Sequence, residues 1–484
     1  MGALVAALAA TAPAASVALA SPADQSVAYQ LDAAHDGHIS DAALATPLAQ
    51  AWSVTLPGAI SYPLIVNGMV FVTAADKTLY ALSQATGATV WSHAVGGTYP
   101  WSGLAYGRGR VFVVNNSGLL SAFDPVTGSI AWSKQLPGQY FFSSAPTAAN
   151  GVVYVGGAGV GGTLYAVRES DGRLLWSRSV ANGDQSSPAV DSQAVYVSYA
   201  CQQAYAFARN LGTLLWHHTS SCSGGGGKTP VVAGGTVFAR DNVLGDLMLS
   251  ASTGSELGAF NADPAPALAN DAAFMLNGSN LTAISNGGQG STLWQFAGDG
   301  HLDTAPLVVG SLVFVGSSAG ELYALDAAAG TTSWSTNVGS AIPGPDEQNV
   351  SQPLTGLGAS NGTLVVPAGS QLIAYRTAGP ITDPPVNQSP PRSTASRKSA
   401  RSPPPIWASG RACPAATPIN GNSATVRAQT APTSTARPAH RSPQPVQTRA
   451  RHCASRSRPP TARGHLLPSS PLQPQRFSRL RRRT

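Results

Sequence analysis

Apolar residues in this chain fall in short runs parted by turn residues, and the runs recur in a fixed order. Six times a Pro is followed eight residues later by an aromatic: Pro63/Phe71, Pro146/Tyr154, Pro188/Tyr196, Pro230/Phe238, Pro266/Phe274 and Pro306/Phe314. Each pair brackets a short apolar strand, a turn at Asn or Gly (Asn67-Gly68, Asn150-Gly151, Gly234-Gly235) and an aromatic, β-branched second strand such as Val70-Phe71-Val72. A loop leads to a third strand like Leu79-Tyr80-Ala81-Leu82. A Thr-Gly type turn (Thr86-Gly87, Thr127-Gly128, Thr253-Gly254) then returns the chain as a fourth strand that carries Trp.

Trp marks the period. It stands at Trp52, Trp91, Trp132, Trp176, Trp216, Trp294 and Trp334, about 40 residues apart except for one gap of 78, which spans a unit whose Trp is lost, with Phe260 nearby. This period with four strands per unit predicts propeller blades. A lone blade cannot cover its own faces, so neighbours must stack on it, and the seven Trp are expected to pack between blades. Gly lies four residues before six of them: Gly87, Gly128, Gly172, Gly212, Gly290 and Gly330. Eight three-strand openings run from Pro63 to Tyr375; the last has no Trp strand after it, and the Trp52 strand has no opening before it. The expected fold is all-β: an eight-bladed propeller of four-stranded antiparallel blades over residues 47–379. Its ring is closed by the N-terminal Trp52 strand, which protects the terminal edges.

The composition of 484 residues, with 11% charged, 51 Gly and 37 Pro, suits strands and tight turns and argues against coiled coils and helical bundles. The formal charge of +7 hides two opposed parts. Residues 1–379 hold 11 bases against 21 acids, whereas residues 380–484 hold 18 bases and one acid, Asp383. No nucleic-acid partner is therefore expected for the propeller.

Residues 3–20 are small and apolar and end in Ala18-Leu19-Ala20, so residues 1–20 read as an export signal, although no base precedes Lys77. Export places the mature chain outside the cell or in the cell envelope. No transmembrane anchor is expected in it, since no other apolar run reaches 18 residues. Residues 21–46 form a lead-in. Residues 380–484 are rich in Pro, Ser, Thr and Arg and cannot bury enough apolar surface to offset chain entropy, so they are expected to be a disordered basic tail. Three readings of the tail stand: a basic arm for anionic polymers, a plain linker, or a shifted reading frame. In the last, GC-rich codons read one phase off turn Arg392 to Arg401 and His452 to Arg463 into strands like those of immunoglobulin-like repeats. Cys413 and Cys453 lie in this tail and receive no role.

The segments Leu79-Tyr80-Ala81-Leu82…Thr86-Gly87…Trp91, Leu119…Ala122-Phe123-Asp124…Thr127-Gly128…Trp132 and Leu322-Tyr323-Ala324-Leu325-Asp326…Gly330…Trp334 resemble the pyrroloquinoline-quinone-type (PQQ-like) β-propeller repeat. Residues 29–38 look like the lead-in of secreted bacterial propellers of this kind. The repeat is shared by quinoprotein dehydrogenases, by the lipoprotein of the outer-membrane β-barrel assembly machinery and by many secreted propellers. The resemblance thus implies a fold and leaves activity open. For a dehydrogenase it implies a vicinal disulfide over the quinone, a central calcium held by acidic and amide side chains, and an Asp base. This chain has no Cys-Cys pair, no acid spacing that assigns a calcium site and no long blade insertions. No cofactor is expected; PQQ with calcium belongs only to the alternative reading.

Other motifs dissolve into the repeat. Gly157, Gly159 and Gly162 have dinucleotide-fingerprint spacing, but the strand Leu164-Tyr165-Ala166-Val167 follows where a helix is needed. Residues 224–229 imitate a P-loop, yet Cys222 occupies its first Gly position and a strand follows. His35 and His38 read as a polar cap on a propeller face. His217 and His218 are neighbours on a strand and point apart, and Asp299, His301 and Asp303 read as a solvated turn. Cys201 ends the second strand of the fourth blade and Cys222 follows its fourth strand. Those strands run the same way, so both thiols reach one face, and in an exported chain they are expected to form a structural disulfide that pins the glycine-rich loop.

A complete repeat frame without an assembled catalytic set reads as a non-catalytic binding or scaffolding module. It is expected to be a monomer that meets a protein or polysaccharide ligand on one face. Two alternatives stay open: a degenerate quinoprotein dehydrogenase, and an outer-membrane-protein assembly factor, which the lack of a lipobox Cys disfavours.

Overall fold

The strands of each unit pair in sequence order and stand as one blade. In the first blade they are Leu64–Val66, Met69–Ala74, Thr78–Ser83 and Thr89–Ala94. The computed structural model describes residues 25–183, 186–222, 224–241 and 243–379. The export-signal segment 1–20 and the basic tail 380–484, with its frame question, lie outside the described residues.

Burial explains the composition of each strand. The inner and second strands are covered on both faces by neighbouring blades, so Leu64–Val66 and Leu312–Gly316 are buried throughout. The outer strands, such as Thr89–Ala94 and Thr332–Asn337, alternate exposed and half-buried positions because only one side meets a neighbour. Eight sheets form among the described residues. The eighth joins the two ends of the ring: Leu48–Thr55 pairs antiparallel with Gln371–Thr377, placing Trp52 opposite Ala374. Apolar residues from both partners then meet the first blade, where Trp52, Leu56, Val365 and Leu372 pack with Ile65, Val70 and Leu82.

One sheet departs from the four-strand expectation. His38–Ile39 of the lead-in adds a fifth strand to the seventh blade, parallel to its inner strand Leu307–Val309. The reason is that the inner strands present unpaired backbone N–H groups, and the lead-in crosses them as a strap. Tyr106, Val190, Val232, Leu268, Val308 and Gly310 donate their N–H groups in turn to the carbonyls of Val27, Ala33, Ala34, Asp36, Gly37 and Ile39. Ser26 exchanges both backbone bonds with Ile65, and Asp41 Oδ2 accepts from Gly362 N. His35 covers the third blade, its Nε2 lying 3.1 Å from Thr147 Oγ1. The strap therefore touches all eight blades. Each buried N–H left unpaired would cost roughly 1–3 kcal/mol, so the lead-in is part of the fold and not an appendage.

Candidate functional site

The Trp joints repeat with one geometry. The indole Nε1 of Trp52, Trp91, Trp132, Trp176, Trp216 and Trp294 donates to the carbonyl of Gln84, Pro125, Glu169, Arg209, Ala251 and Ala327 on the next blade, at 2.8–3.0 Å. Each ring lies flat over a turn glycine of that blade; a Cβ on Gly128, for example, would stand 2.6 Å from Trp91. Gly87, Gly128, Gly172, Gly212 and Gly330, each four residues before a Trp, thus serve the Trp of the preceding blade, and Gly254 does the same for Trp216. Trp334 is the exception, because the eighth blade takes its outer strand from the far end of the chain and has no such turn. It meets Tyr375 edge-on at 5.5 Å instead.

The fifth blade lacks its Trp, and the vacant position is Gly258, which pairs across from Met248 as Trp176 pairs across from Ala166. Phe260 lies two residues further on and packs edge-on against Phe238. The next blade compensates: its turn after Asn280–Ser285 is one residue longer and brings Gly288 against Met275, Ala273 and Phe238. Gly290 consequently packs on Ser285 and not on an indole.

At the ring axis, chain closes in from both ends. Residues 338–357, the longest connection between described strands, insert Glu347 beside Arg240. Arg240 Nη1 lies 3.0 Å from Glu347 Oε1, and both side chains are almost wholly buried. Thr229 N donates to Glu347 Oε2 at 2.9 Å, and Tyr29 of the strap donates its hydroxyl to Oε1 at 3.3 Å. Arg240 also donates to the carbonyls of Thr229 and Asp263. Burial, then the charge of Glu347, holds the Tyr29 hydroxyl well above its ordinary pKa. Above this network a cavity of about 430 Å³ opens between Lys228, Asp263, Asp303 and Asp346. Sequence reasoning passed over Tyr29, Arg240 and Glu347; the length of the 338–357 connection was the one signal that could have flagged the last.

The remaining candidates scatter. Cys201 and Cys222 are joined in a disulfide, with Cys201 Sγ beside Gly224 of the glycine-rich loop. His35 is wholly buried inside the ring and spans Thr147 and Pro230, so it is no cap on a face; His38 is half-buried beside Asn270 and Asp271 in a cavity between the fifth and sixth blades. His217 stacks on Tyr205 while His218 approaches Glu256 across the joint. Asp299 accepts from His301 N and Ser317, and Asp303 accepts from Gly344 N, so the trio does not converge. Gly157, Gly159 and Gly162 belong to the hairpin between Val152–Ala158 and Gly162–Arg168. Among the described residues no three His, Cys, Asp or Glu gather to hold a metal, and no helix is long and apolar enough to cross a membrane. The two sulfurs of the disulfide are 21 residues apart in sequence and so not vicinal, and the Glu347 carboxylate is engaged by Arg240.

The family model described as outer membrane protein assembly factor BamB matches residues 42–100, 84–244 and 244–451. Among solved structures, BamB from Moraxella catarrhalis is 18% identical with a TM-score of 0.54, covering 68% of this chain and 99% of its own. The quinohemoprotein alcohol dehydrogenase from Comamonas testosteroni is 15% identical with a TM-score of 0.59, covering 76% and 83%. At these identities the likeness shows the fold alone. No curated protein matches the chain at a significant level.

Proposed function

That the chain belongs to the family described as outer membrane protein assembly factor BamB is the premise from which we propose an exported, monomeric, non-catalytic binding module of the cell envelope. Its loops present one face to a protein or polysaccharide partner, as suits a rigid frame whose variable segments lie on its surface. The observation that carries this reading is the axial network of Arg240, Glu347 and Tyr29, which occupies the ring centre with paired, buried groups. A cation held by Glu347 would have to displace Arg240 from that carboxylate. Titration of the purified chain with PQQ and Ca²⁺, followed by absorbance and by dye reduction with a panel of alcohols, tests it. No stoichiometric uptake and no turnover are expected; turnover with bound quinone overturns the reading.

A further inference from the structure

A further cavity, of about 490 Å³, lies between the second and third blades. Arg108 and Arg110 line it from the first turn of the second blade, Gly151 from the same turn of the third, and Arg168 and Glu169 from the end of the third blade's third strand. Three arginines gather at this cavity although 21 acids outnumber 11 bases over residues 1–379.

Glu169 is only 2% exposed. Its Oε1 accepts the Gly151 N–H at 3.1 Å, while its Oε2 is buried without a hydrogen-bond partner among the described residues. A buried acceptor left unpaired is costly, and more so when charged, so this oxygen calls for a donor; having no exposed surface of its own, it is reached from the cavity only as the lining side chains shift. Burial raises the Glu169 pKa, opposed by the Gly151 bond and the charge of Arg108. The Arg108 guanidinium lies over Gly151, where a Cβ would stand 3.0 Å from its Cζ, and it donates no hydrogen bond among the described residues. Arg110 and Arg168 pair with half-exposed Asp124 and Asp171, at 3.4 and 3.2 Å, and Arg110 also donates to Gly109 O at 3.3 Å; such exposed pairs are weak enough to yield to a ligand.

We infer that this cavity binds a sugar acid, free or at the end of an acidic polysaccharide. The carboxylate of the sugar meets Arg108, with Arg110 and Arg168 turning toward it, and a ring hydroxyl donates to Glu169 Oε2. Arginine supplies the forked donors that a carboxylate takes in pairs. Glu169 supplies the discrimination, since an anion with no hydroxyl to offer meets a repelling oxygen there. The inference rests on the binding-module reading and names a ligand class for it.

Calorimetric titration of the full chain with glucuronate, an acidic oligosaccharide, glucose and inorganic phosphate tests it, with thermal unfolding as a check on each variant. Glucuronate is expected to bind at least tenfold more tightly than glucose, and tighter binding of the oligosaccharide than of the monomer identifies a polymer as the source. Arg108→Ala should weaken glucuronate tenfold or more. Glu169→Gln keeps an acceptor for Gly151 but turns a donor to the cavity, and should weaken glucuronate but not phosphate, from which it removes a repelling charge. Absence of saturable glucuronate binding, binding indifferent to Arg108→Ala, or phosphate binding equal to glucuronate and both indifferent to Glu169→Gln overturns the inference. Quinone uptake is read separately, so loss of this site leaves the broader reading standing, and bound quinone sinks that reading whatever the sugar does.

Discussion

Trp52 lies flat over Gly87 across the junction of the last and first blades, so close that a Cβ on Gly87 would come within 2.7 Å of the ring. Gly87 also holds a φ of +73°, which any other residue adopts only with strain. One indole thus fastens residues from opposite ends of the propeller, and its Nε1 adds a bond to Gln84 O. Trp52→Ala is expected to lower stability by about 3–5 kcal/mol, the usual loss for a buried large aromatic. Gly87→Ala should cost about 1–3 kcal/mol through crowding of the same joint. Urea denaturation measures both, and Trp334→Ala, which loses no indole hydrogen bond, should cost less than Trp52→Ala.

The axial ion pair makes a different demand. Removing either Arg240 or Glu347 leaves the other charge buried and alone, so Arg240→Met or Glu347→Leu should each lose about 3–5 kcal/mol. Arg240→Met combined with Glu347→Leu should recover most of that loss. A double-mutant cycle by chemical denaturation reads the coupling, and additive losses would show that the two side chains act independently.

The strap carries opposed titrations. Burial lowers the His35 pKa from 6.5 to about 4, so the unfolded chain binds the extra proton; the stability tied to His35 is present above 6.5 and lost as pH falls toward 4. Burial raises Asp32, and burial with the charge of Asp32 raises Asp36 to about 8. Here the folded chain holds the extra protons, so this stability is present below 3.8 and lost as pH rises toward 8. Half-buried His38, lowered by burial, adds to the His35 side. Between pH 6.5 and 8 the carboxyl pair dominates. Asp36→Asn keeps the acceptor for His38 N and should gain midpoint on the wild type as pH rises through that window. A constant difference from pH 6 to 9 would remove the carboxyl pair from the account.

Reducing the Cys201–Cys222 disulfide opens a loop with a sequence separation of 21. Chain entropy puts the loss at about 3 kcal/mol. The glycine-rich loop, bonded through Gly226 O to Ala200 N, should become the first protease-sensitive site. Unfolding with and without reductant, followed by limited proteolysis and mass spectrometry, checks both.

The blades were legible because repetition turns weak signals into a strong one: a single Trp is uninformative, whereas seven in phase define a joint. The closure by Trp52 followed from unmatched strands at the two ends, and the disulfide from strand direction. The arginine cavity was not legible, since Arg108 and Glu169 are 61 positions apart and lie in turns that vary from blade to blade. Nor did Gly258 announce itself as the lost Trp, because the bulge before each Trp sets the alignment and only the ladder displays it.

The sequence alone settled the number of blades, the order of strands and the closing partner, because each is a count or a period along the chain. Only the tertiary structure decided that the lead-in is a strap across eight inner edges, that Glu347 meets Arg240 and Tyr29 at the axis, and which carboxylate oxygen stays unpaired. Those features depend on which distant turns come to face one another. A ring brings together residues that no local pattern relates, and their pairing is settled by burial and by the need of each buried polar atom for a partner.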